Sequence, residues 1–320
     1  MTLTVSAPGK IHLLGEHAVV YGRPALLAAV DKRIYVSINS PAGGQVASSK
    51  NKEELVINSP EKDNLAREAI SVFKKAFSIG ILSPLEISIT SGIPIGSGLG
   101  SSAALSAALI GALMKFVKNL WNPIKINELV YEVEKTAHGN PSGADNTAVV
   151  FGGLVWYRKE FDFFKSIWNL PISAYKIPKF LLIDTGRPSE TTREMVEIVA
   201  SQYDKNPKTM EAVFSDQENQ TKKMLLALKS GDRQALIEAM KKGQRNLDKI
   251  SVVGSLAGKI IKEIEKTGGA AKVSGAGGIK TGSGMILCYH QDPTQIQKVA
   301  EMFQLLALPV ELGEEGVRIE

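Results

Sequence analysis

The sequence predicts an α+β fold in two domains, and three observations carry that expectation. Segments with the alternating period of strands are interleaved with segments of helical period in both halves of the chain. The stretch 158–178, with Pro171 and Pro178, has the weakest pattern, so a boundary is expected there, dividing residues 1–175 from 176–320. A length of 320 residues also suits two ordinary domains.

The elements follow in order. Leu3 to Ala7 alternates as a strand, and Pro8-Gly9-Lys10 reads as its end. Tyr21 to Pro24 reads as a turn. Leu26 to Val30 and the set Ile34, Val36, Ile38 read as two strands, antiparallel neighbours. Pro41 to Gly44 has the composition of a hairpin turn, and Asn64 to Phe77 has helical period. Leu85, Ile87 and Ile89 alternate with Glu86, Ser88 and Thr90 in a strand. Ala103 to Val117 is apolar on nearly all sides, as a buried central helix should be. Asn127 to Ala137 is amphipathic and stops at the turn formers of 138–143. Asn146 to Trp156 reads as strand. The second half opens with a strand from Phe180 to Asp184. Helical segments near 190–203, 208–229, 232–248 and 255–266 follow. Strands at Ala271 to Ser274 and Met285 to Tyr289, a helix near 293–305 and a strand near 308–313 complete it. Mixed sheets are expected in each half.

Composition narrows the function. Hydrophobic content of 44% with 22% charged residues is that of a soluble globular protein. No run of 18 uninterrupted apolar residues is present, so no membrane span is expected. A strand pattern begins within three residues, where a secretory signal would place a basic and then an apolar region, so a cytoplasmic location is expected. The net charge of +5 is spread along the chain, with acids and bases interleaved at 61–67 and 262–266. That pattern, without basic runs among aromatics, disfavours nucleic acid and suits a small polyanion. Cys288 stands alone in an apolar run and reads as a core residue. Four scattered histidines give no zinc spacing.

The most informative stretch is Pro94-Ile95-Gly96-Ser97-Gly98-Leu99-Gly100-Ser101-Ser102, set between a strand and a long helix. Glycines at alternate positions let a ligand reach the backbone, and the two serines stand where N-cap oxygens are wanted. A strand, a glycine loop and a helix N-terminus make an anion site. No Gly-Lys-Ser/Thr closes a Walker A loop, and the third glycine comes one residue too soon for a dinucleotide fingerprint. A second glycine-rich loop, Ser274 to Gly284, lies between two strands. By itself it reads as a hairpin, and Ile279 stands where a Walker loop needs glycine.

Three segments fall in the order of the three motifs of the GHMP small-molecule kinases: Pro8 to His17, Pro94 to Ala104 and Lys272 to Gly278. The chain resembles that superfamily over its whole length. Residues 138–146 and 15–21 look like its mevalonate-kinase branch, and the Thr-Asp that follows Gly-Glu-His in galactokinases is absent. The resemblance implies a first domain like ribosomal protein S5 domain 2 and a ferredoxin-like α+β second domain. It implies an ATP-dependent kinase acting on the 5-hydroxyl of mevalonate. Pro94, Gly96, Ser97, Gly98, Leu99, Gly100, Ser101 and Ser102 would then bind phosphate, with Gly275, Ala276, Gly277 and Gly278 forming the third-motif loop. Ser102 and Glu134 would ligate Mg²⁺. Asp145 would accept or orient the proton of the attacking hydroxyl, with Lys10 beside it. Glu16 and His17, with Lys10 and Asp145, would contact mevalonate, and Thr191 or Thr192 would line the site.

Each of these residues also has a plainer reading. Ser102 serves as a helix cap, Glu134 as a solvated helix face, Asp145 as an Asx turn, Lys10 as a turn residue, and His17 as a core or surface histidine. The third motif departs from the family pattern at Ile279 and Lys280, with no cysteine after it, so its closure over the nucleotide is expected to differ. Expected partners are ATP and a small alcohol, without nucleic acid or membrane, with a homodimer as a candidate assembly. The alternatives are phosphomevalonate kinase, homoserine kinase, or a non-catalytic nucleotide- or RNA-binding protein, because S5-like folds also occur in ribosomes.

Overall fold

The computed structural model describes residues 2–40, 55–58, 63–94, 96–138, 141–161 and 163–320, and the turn expected at 41–44 lies outside them. It opens with two long antiparallel strands, β1 (Thr2–Leu14) and β2 (Ala25–Asn39), paired from Thr2↔Asn39 to Leu14↔Leu26. Neither breaks where the sequence suggests. The register shifts between Pro8 and Gly9, and a bulge is where a residue without an N–H is tolerated inside a sheet. The two strands expected at 26–30 and 34–38 are therefore one. Both pair with β1, and the far edge of β2 is shared by two different partners.

Those partners come from the next segment. β3 (Leu55–Asn58), α1 (Asp63–Ala76), β4 (Leu85–Ser91), α2 (Ser101–Lys118) and α3 (Pro123–His138) are followed by α4 (Ala144–Phe151), β5 (Leu154–Lys159) and β6 (Lys165–Leu170). β4 pairs with residues 34–39 of β2 and β5 with residues 25–28; β3 runs parallel to β4, and β6 extends the sheet beyond β5. The strand expected over 146–156 is a correction: its first half is α4. Gly143 and Gly152 cap that helix, and Asp145 in its first turn complements the helix dipole. These local signals outweigh the strand preference of Val149 and Val150. α2 is the one helix among the described residues long and apolar enough to cross a membrane by length and composition. Every residue from Ala103 to Met114 is buried in the protein core, which accounts for that composition.

The second half runs β7 (Phe180–Asp184), α5 (Thr192–Lys205), α6 (Pro207–Ser230), α7 (Arg233–Lys249), α8 (Ser255–Lys266), β8 (Ala270–Val273), β9 (Met285–Tyr289), α9 (Pro293–Met302) and β10 (Ala307–Val310). Its sheet has the order β10-β7-β9-β8 and is wholly antiparallel, not mixed as expected. Strand, helices, two strands, helix, strand in this order is the ferredoxin-like arrangement with extra helices in the first crossover. One face, with Leu181, Ile183 and Ile286, packs on Ile260 and Ile264 of α8 and Ile296 of α9. The other, with Leu182 and Leu287, joins Met224 of α6 and Met240 of α7 in the same core that holds the first sheet. The chain then returns to that first sheet. β11 (Arg318–Ile319) pairs with β1, and buried Arg33 donates to the carbonyls of Glu315 and Gly316, each at 2.8 Å.

Cys288 is fully buried on the α8 face of β9, and burial pushes its thiol pKa up. Only the thiolate attacks a disulfide reagent. The folded protein should therefore leave an aromatic disulfide reagent unreacted near neutral pH and release one equivalent of chromophore per chain in denaturant. Rapid labelling of the native protein would contradict this packing.

Candidate active site

The glycine loop 96–100 closes directly on β1. Gly9 makes that possible, because a Cβ there would lie 2.9 Å from the Leu99 carbonyl oxygen. The Lys10 N–H donates to that same oxygen at 2.9 Å, and Lys10 Nζ donates to the Gly98 carbonyl at 3.0 Å. Gly100, in the left-handed region at φ 72°, is the N-cap of α2, and a Cβ on it would strike Lys10 Cγ at 2.7 Å. This corrects the expected serine cap. Gly100 brings no side chain to the cap of α2, and Ser101 and Ser102 occupy its first turn instead, lining a cavity of about 330 Å³. The uncapped helix end supplies N–H groups and a positive dipole to that cavity.

Across the cavity stands Asp145. Lys10 Nζ lies 3.0 Å from its Oδ2, and His12 Nε2 lies 2.9 Å from its Oδ1. Burial pushes the Asp145 carboxyl up, but Lys10 and His12 together outweigh burial and hold it well below the usual carboxylate range. Glu134 on α3 lines the same cavity, buried, and is driven the other way. Burial first, and then the Asp145 charge, raise it to about 8 against the pull of Lys10. The cavity thus holds the Glu134 carboxyl, with Ser102 lining it too. One hydroxyl and one carboxylate suit a hard cation that keeps waters and takes phosphate oxygens. No cluster of three or more His, Cys, Asp or Glu among the described residues could hold a metal alone.

Glu16 and His17 form the cavity's inner wall, and both are buried. His17 adopts φ 57° with ψ −49°, a positive-φ conformation that a residue with a Cβ holds only under constraint. Its Nε2 donates to the Ala276 carbonyl at 3.0 Å, tying it to the third-motif loop. Burial lowers its pKa. Glu16 forms a buried ion pair with Lys272 of β8, while its Oε2 meets no protein partner among the described residues. Burial lowers the Lys272 pKa, and the Glu16 carboxylate opposes that. Lys272 also donates to the carbonyls of His12 at 3.2 Å and Val273 at 2.7 Å.

The two glycine loops meet. The Met285 N–H donates to the Ser97 carbonyl at 2.9 Å, so the first loop leans on the start of β9. Gly96, Gly98, Gly100, Gly275, Ala276 and Gly277 line the cavity. Pro94, Ser97, Leu99 and Gly278 do not. Ser97 bonds the Pro94 carbonyl, the Leu99 side chain enters the core, and the Gly278 N–H donates to the Val252 carbonyl. They brace the loops from behind. The departure at Ile279 and Lys280 is anchored too, since both N–H groups donate to the Glu190 carboxylate, at 3.4 and 3.1 Å. Thr191 and Thr192 reach the cavity, with Thr191 also capping α5.

The sequence reading gave no role to His12 and Arg187, which line the cavity, or to Lys272, which is buried behind Glu16. Lys10 and His12 share one face of β1, two residues apart, and that spacing was the available signal for His12. Arg187 lies against Gly96 and lines the cavity beside the first glycine loop.

A helix end and glycine loops facing a lysine–carboxylate pair, on this fold, define a small-molecule kinase. The GHMP kinases N terminal domain model matches residues 64–153, and a galactokinase galactose-binding signature matches residues 2–40. The mevalonate kinase of Archaeoglobus fulgidus is 33% identical over 86% of this chain and 89% of its own length. That of Thermococcus sibiricus is 27% identical over 100% and 99%. The crystal structure of L. major mevalonate kinase in complex with R-mevalonate superposes with a TM-score of 0.77 at 22% identity, covering 96% of this chain and 95% of the other. The chain belongs to the GHMP kinase family. Both of these sequence relatives are mevalonate kinases.

Proposed function

We propose that the protein is an ATP-dependent kinase that transfers the γ-phosphoryl group of ATP to the 5-hydroxyl of mevalonate. The observation that carries this reading is the Lys10–Asp145 pair, 3.0 Å apart, facing the uncapped N-terminus of α2. The substrate oxygen forms a bond to the γ-phosphorus as the bond to the β–γ bridging oxygen breaks, and the hydroxyl proton passes to Asp145. A base held below the usual carboxylate range is adequate if the transition state is loose, because the proton then leaves late. Lys10 and the α2 N-terminus stabilise charge on the transferring group. Ser102 and Glu134 would hold Mg²⁺, which supplies further charge neutralisation at the phosphates. The unpartnered Glu16 Oε2 and His17 are the groups offered to the acceptor, and Arg187 serves the phosphates. A cytoplasmic setting and a homodimer belong to the same proposal.

ATP turnover measured side by side with mevalonate, phosphomevalonate, homoserine and galactose tests the reading. Mevalonate should exceed each of the others by about a hundredfold or more in kcat/KM, as expected where buried polar groups match one acceptor. The galactose arm matters because of the signature at residues 2–40. A preference for galactose or phosphomevalonate would move the protein to another branch of the family.

A further inference from the structure

We infer that His12 is a positioning residue for phosphoryl transfer: its ring holds one oxygen of the Asp145 carboxylate while Lys10 holds the other, fixing the carboxylate plane toward the incoming hydroxyl. The inference rests on the kinase reading above. An ionised carboxylate only accepts, so the bond of 2.9 Å requires the proton on His12 Nε2. His12 Nδ1 is buried and has no partner among the described residues. A proton reaching the ring therefore has no onward acceptor there, and the ring is the end of the chain of bonds and not a relay.

The main chain of His12 is itself held by the second half of the molecule. The His12 N–H donates to Ser274 Oγ at 3.1 Å, and the His12 carbonyl accepts from Lys272 Nζ at 3.2 Å. Ser274 opens the third-motif loop, so the strand and loop of the second half anchor the backbone from which the ring reaches Asp145. With Lys10 alone the carboxylate could pivot about its single contact. A second contact on the other oxygen removes that freedom, and a displacement of about 1 Å in a reacting group can cost about a hundredfold in rate.

The test compares His12→Leu, which keeps bulk without a donor, with His12→Gln, whose amide nitrogen can replace Nε2–H. His12→Leu should lower kcat about 30- to 100-fold, with KM for ATP and mevalonate within about threefold. His12→Gln should recover kcat to within about fivefold of the parent. Wild-type turnover in His12→Leu, equal impairment of both variants, or a loss confined to KM would overturn the assignment. Ring ¹⁵N chemical shifts of the unliganded protein give a second readout, which stands even if His12→Leu does not fold. They should show the Nε2–H form in the parent and a changed Nε2 environment in Asp145→Asn; an Nδ1–H ring would equally refute the contact. If the parent turns over none of the four alcohols, the kinase reading fails, while the ¹⁵N result still decides the His12–Asp145 bond.

Discussion

Asp145→Asn should lower kcat by about a thousandfold or more while leaving ATP affinity within about threefold. The carboxylate is flanked by two donors, Lys10 Nζ and His12 Nε2. An asparagine keeps one acceptor and turns its other position into an N–H₂, so either a contact breaks or His12 moves its proton to Nδ1, which is buried without a partner among the described residues. The charge is lost as well, leaving the Lys10 ammonium, only 3% exposed, with the Gly98 carbonyl and no counter-ion of its own. Loss of a proton acceptor is worth about 10²- to 10⁴-fold, and loss of placement adds to it. Nucleotide binding should survive, because the glycine loops and the α2 N-terminus do not depend on Asp145 for their bonds. Titration with a fluorescent ATP analogue, beside ADP release, checks both halves, and near-normal turnover would remove Asp145 from the reaction. The pH profile reads the same residue in the parent protein. With Asp145 held below the usual carboxylate range, it stays ionised as pH falls through about 4. No acid limb in kcat belonging to this residue should therefore be seen down to that pH, and the limb that protonates it lies lower still.

The parts of this site that were legible in the sequence are those whose geometry is local. A glycine loop between a strand and an apolar helix announces an anion site wherever it occurs, and the structure places Gly96, Gly98, Gly100, Ser101 and Ser102 on the cavity. Lys10 and Asp145 had no local signal beyond turn chemistry, and only the motif order of the resemblance brought them forward. Their contact joins residues 135 positions apart in a fold whose long β1–β2 pair the sequence disguised. Pro8 and Gly9 imitate a strand end, yet they sit at a bulge that lets Leu99 approach. The misread α4 has the same lesson in reverse, since β-branched residues speak for a strand while a glycine cap and an acidic first turn decide for a helix. His12 offered only its spacing from Lys10, and Lys272 no signal at all, because what defines them is a partner far along the chain: Asp145 for one, Glu16 for the other. β11 is two residues long and pairs with the opposite end of the chain, so no periodicity could reveal it.

Lys272→Met is the substitution with the largest expected effect on stability. Lys272 is 0% exposed, and its ammonium is shared among the Glu16 carboxylate and the carbonyls of His12 and Val273. Methionine keeps most of the stem and removes the charge, so a buried carboxylate loses its counter-ion and two carbonyls lose a donor. Breaking one side of a buried pair costs about 3–5 kcal/mol, far more than the pair contributes relative to an apolar replacement. For a chain of this size that corresponds to a fall in Tm of about 4–7 °C. Replacing the partner as well separates the two effects. Lys272→Met with Glu16→Leu leaves no buried unpaired charge and should recover most of the lost Tm, giving a coupling of about 2 kcal/mol or more in the cycle. Turnover should not return with stability, because the double variant lacks the Glu16 carboxylate that faces the acceptor and the ammonium that holds the His12 carbonyl. A single variant melting within about 2 °C of the parent would mean that water already reaches this pair and that Lys272 does not join the two halves as the buried contacts imply.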